Sequence, residues 1–317
     1  MDPITHTLAG ATMARAGLSR RTPLATATLL LAANAPDIDI VTGFLHDENA
    51  TLACRRGWTH GPLAMAALPF AVAGVTIAWD HWVRRRRNPA AVPASPTALV
   101  LLSVLGVLSH PALDWLNTYG IRLLMPFSDH WYRGDTLFIV DPWLWLILGV
   151  GIFLARRLPS GSMRIGRVTG TMGLAYIVAM LGLSINGKIA ARRAAEDARI
   201  ADVSDVLYSP RPGTPLKADV VARTPMAYHP GSLVWTLDGA QVTYGDIVIP
   251  RGDWTAFAVH RAQASVGVRN YLAWSQFPYV RVDTINGDTL VFFGDARYRA
   301  APAGSLSGYE VRLSSLR

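Results

Sequence analysis

Three stretches of about twenty residues, nearly all apolar, dictate most of what this chain can become. They run from Pro62 to Val83, from Thr97 to Leu116 and from Ile165 to Ile185. Each matches the roughly 20 residues that carry a helix across about 30 Å of hydrocarbon. A helix also satisfies all its backbone polar groups internally, as lipid demands. A fourth segment, Pro142–Ala155, is shorter and dense in Trp, Leu and Ile, with Trp143 and Trp145 placed for an interfacial belt. Two further apolar segments come first, Ile4–Leu18 and Pro23–Ala35. About 14 residues of helix reach only about 21 Å, so these are tilted crossings or a hairpin dipping in from one side. The expected fold class is an α-helical polytopic membrane domain of about five or six helices, the first two short.

Composition agrees. Only 16% of residues are charged and 51% are hydrophobic, whereas a soluble domain carries about 25% charged residues. The net charge of +8 does not read as a nucleic-acid footprint. The arginines sit in clusters between apolar segments: Arg20-Arg21, Arg84 to Arg87, Arg156-Arg157, then Arg164 and Arg167. That is the pattern of loops retained in the cytoplasm. With those clusters inside, every segment acquires a direction, and the polar C-terminal part falls outside the cytoplasm. The first apolar stretch lacks a basic leader and contains His6, so no cleavable signal is expected. Cys54 is the only cysteine, which excludes an intrachain disulfide.

The pattern predicts three regions. A helical membrane domain covers 1–186, and a charged, Ala-rich helical stalk covers 187–208. A small β-rich domain covers 209–317, with runs such as Ser232–Leu237 and Leu290–Phe293 and a hairpin signal at Asn286-Gly287. His229 and His260 in that domain read as surface histidines.

The orientation, which rests on the arginine clusters alone, places His6, Asp37, Asp39, His60, His110, Asp114 and Asp135 at outer ends of segments or in outer loops. His110 and Asp114 are four apart on one helix and share a face. Ionisable groups on an apolar membrane helix are expensive and point to function. Pro36 ends the second segment, and Asp37 and Asp39 follow as two carboxylates that a divalent cation would reconcile. His60 directly precedes an apolar helix, with Arg56 four residues upstream as a candidate anion contact. Asp135 is a candidate base or further ligand, beside Arg133, which is placed to face a phosphate. Asp141 before Pro142 reads as a helix N-cap. Mixed His and carboxylate ligands suit Zn²⁺ or Mn²⁺, as one or two ions.

Five strings in order carry a resemblance. They are Met1-Asp2-Pro3-Ile4-Thr5-His6 with Leu8 and Gly10, Asn34-Ala35-Pro36-Asp37-Ile38-Asp39, Arg56-Gly57-Trp58-Thr59-His60, His110-Pro111-Ala112-Leu113-Asp114 with Asn117, Tyr119 and Gly120, and Asp141-Pro142-Trp143. Over about residues 1–185 the chain resembles the YdjM-like family of bacterial membrane-bound, metal-dependent hydrolases. The resemblance implies metal ligation by His6, Asp37, Asp39, His60, His110 and Asp114, and a place in the bacterial inner membrane. A weaker likeness to zinc-dependent phospholipases C makes phosphoesters the first substrate class. One departure is Gly61, where a small Ser is commoner.

The function expected is a metal-dependent hydrolase in which activated water attacks a lipid-linked or phosphate-bearing substrate at the outer membrane face, with Asp39 and Asp135 as catalytic carboxylates. Membrane lipid is the expected partner. A metal-binding or transport protein, or a structural membrane protein that uses the polar cluster as helix glue, is the alternative. A transporter would carry polar residues through the full depth of the membrane.

Overall fold

The structure is a computed structural model, and it describes residues 1–41, 51–52, 54–299 and 306–313. The chain divides into two compact units, one of residues 1–39 and 56–183, the other of 40–55 and 184–317.

The first unit is helical. Helix α1 (Pro3–Arg15) starts where the Asp2 carboxylate accepts from the Ile4 and Thr5 amides, with Pro3 at the first turn. Helix α2 (Ala25–Asn34) is short and ends in a 3-10 segment, Ala35–Val41, that carries Asp37 and Asp39. Helix α3 (Pro62–Trp79) continues through a π turn at Asp80–Arg84 to Arg87. The buried Asp80 carboxylate closes that end, accepting from the Ala94 amide at 3.0 Å and pairing with Arg84. Helix α4 (Pro96–Trp115) contains Pro111, which offers no N–H to the preceding turn. Helix α5 (Pro142–Arg157) is capped by Asp141, whose carboxylate accepts from the Leu144 amide at 2.9 Å. Helix α6 (Ser162–Asp197) runs through the last apolar stretch and on through the Ala-rich residues without a break.

Three helical stretches are long and apolar enough to cross a membrane: Pro62–Arg87, Pro96–Trp115 and Pro159–Asp197. Helix α2 is clasped by α1 and α4. Its approach to α4 is close, because a Cβ on Gly106 would lie 2.5 Å from the Ala32 Cβ. Such small-residue contacts let membrane helices touch. The indole N–H of Trp145 donates to Thr5 Oγ1 at 2.9 Å and ties α5 to α1. Met1, Leu116, Leu137, Leu144, Leu148 and Met180 form the apolar core behind the polar residues.

The second unit is built on antiparallel strands. β1 (Asp205–Arg211), β2 (Thr214–Arg223), β3 (Ala227–Thr236) and β4 (Gly239–Tyr244) pair in that order, and β5 (Ile249–Pro250) adds to β3. A second sheet joins β6 (Pro278–Ile285), β7 (Asp288–Asp295) and β8 (Gly308–Leu313). The β6–β7 hairpin turns at Asn286 and Gly287, both with positive φ (53° and 87°), as the sequence predicted. Two short helices, α7 (Phe257–Gln263) and α8 (Val266–Trp274), were not foreseen in a domain read as β-type. The C-terminal end of α6 packs on the first sheet, where Ala191 joins Val206, Tyr208, Val220 and Leu233.

Asp295 organises this unit. Its fully buried carboxylate accepts from Ser275 Oγ at 2.7 Å, from the Gln276 and Phe277 amides, and from Arg297 Nη2 at 2.8 Å. Burial alone would push this carboxyl up, but Arg297 and the hydrogen bonds hold it below the usual carboxylate range. A carboxylate depressed in the folded state contributes stability above its unfolded value, near pH 4, and loses it as pH falls through the folded one. Asp295→Ala should therefore lower the opening free energy around β7 by about 3–5 kcal/mol at neutral pH, since it strands a buried guanidinium. Hydrogen exchange of residues 276–297 in the full chain measures this. The difference from wild type should shrink below pH 4, and an unchanged exchange rate at pH 7 contradicts it.

Candidate metal centre

Four ligand atoms, one each from Asp37, His60, His110 and Asp114, lie within 4.8 Å of one another, and all four residues are buried. They come from three places in the chain. The 3-10 segment after α2 presents Asp37, and the turn before α3 presents His60. His110 and Asp114 face inward one turn apart on α4.

Hydrogen bonds fix which imidazole nitrogens face the centre. His110 Nδ1 lies 2.7 Å from the Ala33 carbonyl oxygen, which only accepts, so Nδ1 carries the proton. Thr59 Oγ1 lies 2.9 Å from His60 Nδ1 and donates to Asp39 Oδ2 at 3.3 Å. The hydroxyl proton goes to the carboxylate, so His60 Nδ1 also donates. In neutral rings each Nε2 then carries a lone pair, and the two Nε2 atoms face each other at 3.1 Å. Facing lone pairs repel unless a cation lies between them. Such outward hydrogen bonds to a carbonyl or carboxylate orient metal-ligating histidines generally.

The separations fit an ion. A tetrahedral site with bonds of about 2.0–2.1 Å sets neighbouring donor atoms about 3.3 Å apart. Asp114 Oδ2 lies 3.4 Å from His60 Nε2 and 3.5 Å from His110 Nε2, and Asp37 Oδ1 lies 3.7 Å from His110 Nε2. His6 adds a second sign. Its ring stacks on His110 with centroids 3.7 Å apart, its Nε2 is 3.3 Å from Asp114 Oδ1, and the side chain is fully buried. Neither ring nitrogen makes a hydrogen bond among the described residues. An orphaned buried polar group costs about 1–3 kcal/mol, and an ion beside it removes that cost.

The other residues proposed from sequence take definite places. Asp39 stands behind the centre, where Oδ2 accepts from the Arg56 amide at 2.7 Å as well as from Thr59. Arg56 is 2% exposed and its guanidinium is spent on the protein. Nε lies 3.1 Å from Asp114 Oδ2, Nη1 donates to Asn117 Oδ1 and the Gly120 carbonyl, and Nη2 donates to the Met1 carbonyl. The Met1 amino group meets Asp114 Oδ1. Arg133 and Asp135 pair with each other at 3.0 Å in the loop after α4, and Asp135 is not among the four converging ligands. His229 on β3 and His260 on α7 belong to the second unit.

Thr59, Asn117 and the Ala33 carbonyl escaped the sequence reading as parts of the site. Thr59 and Asn117 lie in the strings already singled out, so proximity to a ligand was the available signal. A backbone carbonyl leaves no signal in sequence.

The family model described as YdjM inner membrane protein matches residues 1–191. No curated protein and no solved structure matches the chain.

Proposed function

The chain belongs to the YdjM inner membrane protein family, and from that premise we propose that it is a metal-dependent hydrolase acting on a lipid-linked or phosphate-bearing substrate at the membrane boundary. The observation that carries this reading is two imidazole Nε2 atoms 3.1 Å apart, flanked by two buried carboxylates. Zn²⁺ best suits two imidazoles with carboxylate oxygens, with Mn²⁺ as the second choice. A bound ion supplies a Lewis acid and brings the acidity of water toward neutrality.

The chain's own residues hold and aim that chemistry. His60, His110, Asp37 and Asp114 are the ligands, with His6 against Asp114. Asp39 acts through Thr59 to keep the His60 proton on Nδ1. Arg56 holds Asp114 and offsets part of the carboxylate charge, which makes it a positioning residue and not an anion contact. Asp135 and Arg133 pair with each other and stand outside the four converging ligands.

Placement supports a boundary site over a conduction path. His60 lies just before α3 and Asp114 in the last turn of α4, so the polar groups gather at one end of two apolar helices. The basic Arg84–Arg87 cluster lies at the opposite end of α3. By the positive-inside rule the centre then faces the outer side, and the second unit follows the last span outward.

The test is hydrolysis of phosphoester lipids by the purified full-length protein, with phosphate or headgroup release as readout. Turnover should require divalent metal, stop with chelator, and fall at least about 100-fold in His60→Ala. Release that is indifferent to chelator and to His60→Ala, or no release from any phosphoester, removes the hydrolase reading. Stoichiometric metal without hydrolysis favours the binding or transport alternative.

A further inference from the structure

A groove of about 600 Å³ runs between α5 and α6 within the first unit. Its walls are apolar and open: Leu146 is 54%, Val150 47%, Val168 51% and Met172 55% exposed. Its floor is where the helices touch, because a Cβ on Gly151 would fall 1.9 Å from Thr169 Oγ1. Among the described residues no side chain fills the groove, and the contact beneath keeps it from closing. From Leu146 to Leu154 it follows α5 for about 12 Å, the run of a substantial part of one acyl chain.

One end is charged. Arg164 lines the groove and is exposed, and it makes no ion pair or hydrogen bond among the described residues. Arg156 and Arg157 close α5 just before the short connection to α6, and Arg164 lies in the first turn after it. The chain carries no Asp or Glu between Asp141 and Glu196. Neither helix can supply a countercharge near these arginines. A guanidinium at the edge of hydrocarbon is costly without one, and basic pockets between membrane helices bind anionic headgroups.

We propose that this groove is a binding site for an anionic phospholipid, one acyl chain lying against Leu146, Val150, Val168 and Met172 and the headgroup phosphate meeting Arg164. The guanidinium presents paired donors to phosphate oxygens. The apolar length beside it selects a molecule that carries both an anion and a chain, so free phosphate binds poorly. The site is remote in sequence from the residues of the metal centre, and its occupancy does not depend on metal.

The experiment is native mass spectrometry of the purified, delipidated full-length protein titrated with phosphatidylglycerol or phosphatidylcholine. Phosphatidylglycerol should bind with one high-occupancy site and phosphatidylcholine at least about fivefold more weakly. Arg164→Ala should weaken phosphatidylglycerol about fivefold and leave phosphatidylcholine unchanged. Val150→Trp, which fills the groove, should weaken both lipids. Both positions are exposed, and the metal content of each variant should equal wild type, which shows that the fold is intact. Equal affinity for the two lipids overturns the proposal, as does wild-type binding in either variant. Dissociation of a dimer by Val150→Trp with unchanged lipid binding also overturns it, by giving the groove to a second copy of the chain.

Discussion

His110→Ala is expected to empty the metal centre and to lower metal affinity by more than about 100-fold. Substitutions that only touch a ligand's hydrogen-bond partner already cost about 10- to 100-fold, and this one removes the ligand. His110 lies within reach of every other member: His60 Nε2 at 3.1 Å, Asp114 Oδ2 at 3.5 Å, Asp37 Oδ1 at 3.7 Å and the stacked His6 ring. Stability should follow by mass action, because an ion that binds only the folded chain stabilises it by an amount that rises with the logarithm of its affinity. Wild type should therefore gain thermal stability on adding Zn²⁺, and His110→Ala should gain almost none. An effect confined to packing would instead lower the variant's midpoint by the same amount with and without metal.

Gly61→Ser is the second large effect, and it runs against the resemblance. The resemblance implies a small serine after the histidine, yet a Cβ at Gly61 would fall 1.8 Å from the Met125 carbonyl oxygen. Backbone conformation is not the obstacle, since φ is −81° and ψ is 174°. Space is. The Met125 backbone cannot swing aside as a side chain could, so either that loop or the His60 turn must move. Overpacking of this kind costs about 1–3 kcal/mol, occasionally more. Because His60 is the adjacent residue, the displacement should appear as a metal affinity at least about tenfold weaker, read by competition with a chromogenic chelator. Wild-type affinity in Gly61→Ser would show that the loop yields and that His60 does not depend on it.

Much of this architecture was legible because membranes leave so few options. Apolar length located α3, α4 and the start of α6, and the Asp141-Pro142 cap located α5. The helical stalk expected over 187–208 is the continuation of α6, which its strong helix formers carry only to Asp197, and β1 takes over at Asp205. Helices α7 and α8 were hidden by their length. Each is under ten residues, too short for a 3.6-residue period to emerge, and both sit among strands.

The site was legible in its ligands and opaque in its supports. Spacing on α4 and the Asp37–Asp39 pair pointed to chemistry because charge in an apolar setting is costly. Sequence could not show that Arg56 faces inward to Asp114, Asn117 and Gly120. An arginine beside a histidine looks the same whether it awaits a phosphate or braces a carboxylate. The same ambiguity applies to Arg133 and Asp135, two residues apart in a loop and paired with each other.

The central claim is that two imidazoles and two carboxylates share one ion. Elemental analysis of the purified full-length protein beside His110→Ala, after dialysis against buffer free of added metal, tests it most directly. The account predicts at least one transition-metal ion per wild-type chain and a near-empty variant. Equal metal in the two proteins, or none in a wild-type chain offered Zn²⁺ and Mn²⁺, would contradict it.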